Sequence, residues 1–135
     1  MNLPLRGLAL ALAMAASLAS AQPFPAKQVT LVVPYAPGGS TDIMARVMAQ
    51  QLPALLGQPV VVENRTGGGG LVGWGSVARA VPDGHLLLTS EMSYPISAAL
   101  LSNMPFDPKT AFANITIAAS VPHALVVHPS VPARD

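Results

Sequence analysis

The chain contains no cysteine, which excludes disulfides, thiolate chemistry and Cys-based zinc sites. It is poor in charge: only 10% of its residues are Asp, Glu, Lys or Arg, and seven basic residues face six acidic ones. With no basic run anywhere, the footprint of a nucleic-acid-binding protein is missing. Aromatic residues are scarce at 4%, so a core must be built from aliphatic side chains. The three histidines, His85, His123 and His128, fall at no metal-ligand spacing, and His85, after a turn, reads as a surface residue. No G-x-S-x-G pentapeptide occurs, so no nucleophile elbow can form. Asn64-Arg65-Thr66 and Asn114-Ile115-Thr116 match glycosylation sequons, a pattern too short to carry weight. No apolar run reaches the ~20 residues that a bilayer-spanning helix needs.

The longest such run is Leu8 to Leu18. It follows a short segment bearing one positive charge, Arg6, and precedes Ala19-Ser20-Ala21. Charge, apolar stretch and small-x-small site together describe a secretory signal peptide over residues 1–21, cleaved after Ala21. A membrane anchor is the competing reading, and the run is too short for it. Removing Arg6 with the signal leaves Gln22 to Asp135 with basic and acidic residues in balance. An exported chain without disulfides must be held by its core alone.

What remains is a rhythm of short strands and helices. Gln28 to Val33 is a β-branched run that suits a buried parallel strand. Pro34 to Asp42 (Pro-Tyr-Ala-Pro-Gly-Gly-Ser-Thr-Asp) is a tight turn opening a helix, with Ser40 or Thr41 as its cap and Asp42 in its first turn. Ile43, Met44, Val47, Met48, Leu52, Leu55 and Leu56 recur at helical spacing. Pro53 is expected to kink or break that helix, and Gly57 to end it. Pro59 to Glu63 is a second strand and Asn64 to Gly70 a polar, glycine-rich turn. Leu71 to Ala80 is a short helix closed by Pro82-Asp83-Gly84. His85 to Ser90 is a third strand and Pro95 to Leu101 a further helix. Asn114 to Ala119 and Ala124 to Val127 are expected as two more short strands. This alternation means βαβ units on a parallel sheet, an α/β fold with right-handed crossovers.

In such sheets ligands sit at the carboxyl ends of the strands, where strand order switches. Three loops lie there: Pro34 to Asp42, Asn64 to Gly70 and Ser90 to Tyr94. The first N–H groups of a helix lack internal partners and carry partial positive charge, so Gly38, Gly39, Ser40 and Thr41 form an anion site without cationic side chains. A capped helix with no ligand is the simpler reading of that segment, because caps are common. Gly68, Gly70 and Gly73 also satisfy G-x-G-x-x-G. The intervening polar loop and the want of any acid but Glu91 near the required spacing speak against a dinucleotide. Trp74 is read as packing on the sheet, and Arg65 as a structural or solvated cation rather than a ligand partner.

Val29 to Asp42 resembles the first strand, loop and helix start of the periplasmic receptors of tripartite tricarboxylate transporters, the Bug family. Leu56-Gly57-Gln58-Pro59-Val60-Val61-Val62-Glu63-Asn64-Arg65, Gly67 to Gly70, Pro82-Asp83-Gly84-His85-Leu86-Leu87-Leu88, Met104-Pro105-Phe106-Asp107-Pro108 and Val126-Val127-His128-Pro129-Ser130 match in order. The resemblance covers essentially the whole chain after residue 21. It implies a type II periplasmic-binding-protein fold of two lobes closing on a small organic carboxylate, with no catalysis and no cofactor. It implies a periplasmic location, delivery to membrane permease subunits, and a monomer. Carried over to this chain, the ligand contacts are Gly38, Gly39, Ser40, Thr41 and Asp42, with Gly68, Gly69 and Gly70. A third contact region falls at Ser90, Glu91 and Met92, with Glu91 expected to turn away or to read a ligand amine or hydroxyl. Ala111 departs from the pattern, which usually has an acid there that would cap or brace a loop. Family members are much longer. Residues 22–119 therefore read as the N-terminal part of the first lobe and 120–135 as the crossover into a second lobe that is largely missing. The rival readings are a non-functional truncated remnant, and an enzyme that binds a nucleotide through Gly68, Gly70 and Gly73.

Overall fold

The structure is a computed structural model that describes residues 23–122, 126–128 and 130–131. The signal peptide, His123, and the first half of the strand expected at Ala124 to Val127 lie outside the described residues. Three parallel strands form the sheet: β1 (Val29–Val33), β2 (Val60–Asn64) and β3 (Leu86–Leu88). Their order is β2-β1-β3. Val29 pairs with Val60 and Val33 with Asn64 on one side, and Thr30 pairs with Leu86 and Val32 with Leu88 on the other.

Helix α1 (Ser40–Leu56) connects β1 to β2, helix α2 (Leu71–Ala78) connects β2 to β3, and helix α3 (Ser93–Leu100) follows β3. A single 3-10 turn, Gly68–Gly70, leads into α2. Because the chain steps to opposite sides of β1, right-handed crossovers place α1 and α2 on opposite faces of the sheet. Burial follows from that. Val29, Leu31, Val32 and Val33 are all buried, as a central strand covered on both faces must be. Val29, Leu31, Val33, Val60 and Ala45 form one cluster, with Met48, Leu52 and Leu56 of α1 packed against it. Trp74 of α2 is fully buried.

Three expectations are corrected. Pro53 neither breaks nor ends α1, which runs on to Leu56 and closes at Gly57 in the left-handed conformation, its N–H bonded to the Pro53 carbonyl at 2.9 Å. Leu52 and Leu56 bury against the sheet on either side of the proline, and that packing outweighs the lost bond. Asn114 to Ala119 is irregular and exposed, not a strand. Its pattern suits a strand, but no neighbour supplies the ladder a strand needs. His85 is half-buried, its ring tilted against Phe24 with centroids 5.1 Å apart.

The segment after α3 is held by aromatic contacts. Trp74, Tyr94, Phe112 and Phe106 stack edge to face in sequence, at 5.3, 5.6 and 5.7 Å between centroids. Tyr94 donates its hydroxyl proton to the Pro108 carbonyl at 2.8 Å. Asp107 accepts from the Lys109 N–H and the Thr110 hydroxyl, both at 2.9 Å. That carboxylate braces the loop where Ala111 offers none.

Candidate functional site

The switch point of strand order lies between β1 and β3, and loops following all three strands converge at its carboxyl edge. The first loop is shaped by Asp42. Gly39, not Ser40 or Thr41, occupies the cap position of α1, and no side chain caps the helix in the usual sense. Instead Asp42, in the third helical position, reaches back past the cap residue to accept the Gly38 N–H at 2.9 Å, one residue beyond the donor that a capping box uses. The same carboxylate accepts from Arg46 Nε at 2.9 Å, Arg46 Nη2 at 3.1 Å and Asn64 Nδ2 at 2.9 Å. Asn64 Nδ2 also donates to the Tyr35 carbonyl at 3.1 Å, so the end of β2 is tied to the loop after β1. Asp42 is almost wholly buried. Arg46, then the Gly38 N–H and Asn64, hold its carboxyl well below the usual carboxylate range.

Two of the expected ligand contacts are therefore spent inside the protein. The Gly38 N–H and the Asp42 carboxylate are partners of each other. What the first turn of α1 offers outward is backbone: its first internal bond runs from the Ile43 N–H to the Gly39 carbonyl at 2.9 Å, leaving the N–H groups of Ser40, Thr41 and Asp42 beyond the internal ladder. Ser40 is exposed and Thr41 buried.

The second loop is built by close approach. Gly70 has φ +109°, and a Cβ there would lie 2.6 Å from the Trp74 ring. A Cβ at Gly73 would lie 2.6 Å from Pro34 and 2.8 Å from the Arg65 carbonyl, so only glycine lets α2 seat against the loop after β1. Gly68 and Gly69 are exposed beside this seat. The formal dinucleotide spacing is thus met by packing. Arg65 is structural, with both arms on Glu63 at 2.8 Å and Nη1 on Ser76 at 2.9 Å.

The third loop brings hydroxyls. Ser90 Oγ receives the Trp74 indole N–H at 3.2 Å and lies 3.4 Å from the Tyr35 hydroxyl. Tyr35 OH also bonds Ser93 Oγ. Thr41 donates its hydroxyl proton to Glu91 Oε2 at 3.0 Å. Met92 is largely exposed at the same corner. Glu91 thus turns to Thr41 across the crevice. Tyr35 and Asn64 help to shape the site, though no motif in the sequence marks them for it. A polar Asn closing a strand that opens on three valines was the available signal for Asn64. Nothing local marked Tyr35, whose partners lie 55 and 58 residues away. Among the described residues no group of His, Asp and Glu could hold a metal ion.

Together these loops bring backbone N–H groups and hydroxyls to the carboxyl ends of the strands at a strand-order switch, the place where open α/β sheets receive ligands. Residues 44–135 match the family described as tripartite tricarboxylate transporter family receptor, and the chain belongs to that family. It is 39% identical over 127 residues to Protein BugT of Bordetella pertussis, covering 93% of this chain and 39% of that protein. Among solved structures it is similar to MatC from Rhodopseudomonas palustris with bound malate, at 39% identity and TM-score 0.62, over 66% of this chain and 31% of that one. The periplasmic binding protein BugD matches at 40% identity and TM-score 0.57, over 66% and 30%. The chain thus spans about two fifths or less of the length of these relatives. The parallel α/β piece described above is the part these periplasmic binding proteins share with it.

Proposed function

We propose that the chain is the first wall of an extracytoplasmic receptor for a small organic carboxylate, which it passes to membrane permease subunits. The observation that carries this is the convergence of three strand-end loops around the unpaired N–H groups that open α1. Ser40, Thr41 and Gly39 supply the anion contacts, and the exposed Gly68 and Gly69 the facing backbone, while Gly70 is buried with its N–H bonded to the Gly67 carbonyl at 3.0 Å. Ser90 and Met92 form the rim. Gly38 and Asp42 act by fixing the loop rather than by touching the ligand. This refines the wider set expected from the resemblance. The chemistry needs no cofactor, and a monomer in the periplasm suits it. The relatives' bound molecules, malate in one and adipate in another structure from R. palustris, support a carboxylate.

The test is a titration of the ¹⁵N-labelled protein with malate, adipate, citrate and acetate, followed by amide shifts. Saturable shifts at Gly39, Ser40, Gly68 and Gly69 are expected. A half-open site leaves much of a ligand wet, so dissociation constants in the millimolar range are expected. Absence of shifts with every carboxylate would overturn the reading.

A further inference from the structure

Charge bookkeeping around the site isolates one group. Arg46 is consumed by Asp42 and Arg65 by Glu63. Lys27 pairs with Asp83. None of the ion pairs among the described residues includes Glu91. Its carboxylate stands exposed at the end of the third loop, joined to the first turn of α1 through the Thr41 hydroxyl at 3.0 Å. That bond has a second effect. A hydroxyl has one proton, and Thr41 gives it to Glu91, so toward a ligand the Thr41 oxygen only accepts. Beside the anion-receiving N–H groups the site therefore presents the exposed Glu91 carboxylate as an acceptor and a net negative charge.

We propose that Glu91 is a specificity-determining residue: it makes the site select carboxylates that carry a donor, above all an ammonium group, and reject otherwise identical plain dianions. The proposal rests on the carboxylate reading of the site. One carboxylate of the ligand takes the helix N–H groups while the adjacent ammonium lies against the exposed Glu91 carboxylate, satisfying that acceptor. A ligand without a donor leaves Glu91 facing its own negative charge, and like-charge juxtaposition is how interfaces refuse wrong partners.

A matched series isolates the effect: aspartate, malate and succinate share a four-carbon dicarboxylate frame and carry ammonium, hydroxyl and hydrogen at one position. Amide-shift titrations of the ¹⁵N-labelled protein should rank them in that order, with aspartate about tenfold or more tighter than succinate. Glu91→Gln should bring the ratio down to about two and strengthen succinate. Thr41→Val removes the bond across the crevice but keeps the charge, so it should retain at least half of the wild-type ratio on a logarithmic scale. Equal binding of aspartate and succinate by the wild type, an unchanged ratio in Glu91→Gln, or a ratio that follows Thr41 instead of Glu91 would each overturn the proposal. Failure of all three probes to bind either protein would instead sink the carboxylate reading, and this inference with it. Binding of all three without discrimination leaves that reading standing and removes only the role of Glu91.

Discussion

Asp42 is the residue on which the site's shape depends, because one buried carboxylate holds the loop after β1, the first turn of α1 and the end of β2 together. Asp42→Asn keeps the volume but cannot accept from Gly38, Arg46 and Asn64 at once. It should lower Tm by about 8 °C or more, the scale of a lost buried network in a domain this small. The pH dependence has a definite sign. The folded carboxyl titrates below its unfolded value of about 4, so its contribution is complete above that value and is lost as pH falls through the acid range toward the folded one. Melts from pH 7 to pH 2.5 should show the gap between wild type and Asp42→Asn narrowing only below about pH 4. A gap that stays constant would show that the carboxylate's charge is not what matters. Gly70→Ala is the second test at this scale. It sets a methyl group against the Trp74 ring at a φ of +109°, and about 2–4 kcal/mol of destabilisation follows. Trp74 is the sole tryptophan of the sequence, so a red shift of its emission reports the displaced ring directly. The Asp42–Arg46 pair has a local signal that the reading above does not use, since residues four apart on a helix face each other. The sequence could not display Asn64, whose approach to Asp42 depends on strand pairing 22 residues further on.

At the scale of elements, the three strands and the three helices were legible because their signals are local: β-branched runs, helical spacing of apolar residues, and glycines or prolines at the joints. The exceptions share one cause, which is that a partner decides. Pro53 reads as a breaker, yet α1 continues because Leu52 and Leu56 are already committed to the core. Residues 114–119 read as a strand, yet none of the three strands lies beside them to accept a ladder. The proline is therefore tolerated at a standing cost, and its removal should be favourable. Pro53→Ala restores a helical N–H, while giving the unfolded chain somewhat more freedom to lose. We expect a net gain of about 1–2 kcal/mol in urea unfolding, with an unchanged m-value. A loss of stability would mean that the pyrrolidine ring itself packs usefully between helix and sheet.

For the whole molecule, the balance of core against exposed apolar surface decides behaviour in solution. The fully buried side chains are few, chiefly those of β1 and Trp74. Along the segment that follows the aromatic stack, Ile115 is 75% exposed, Ile117 84% and Val126 84%. Among the described residues the outer strands β2 and β3 also pair only with β1, so each leaves an open edge there. An exposed apolar, β-prone segment and open strand edges are each a template for association between chains. The monomer that suits receptor function then holds only at low concentration. Sedimentation velocity should show larger species growing as protein is raised from about ten micromolar toward the millimolar range used for ligand titrations. Ile115→Lys with Ile117→Lys should suppress that growth. Since neither side chain is buried, the pair should leave Tm within about 3 °C of wild type, as surface changes of roughly 0.5 kcal/mol or less do. If association persists in the double variant, the exposed strand edges drive it and the apolar segment does not. A lysine on the outward face of β2, Val61→Lys, then becomes the change that should restore the monomer, because an edge charge cannot be buried against a second copy without a partner.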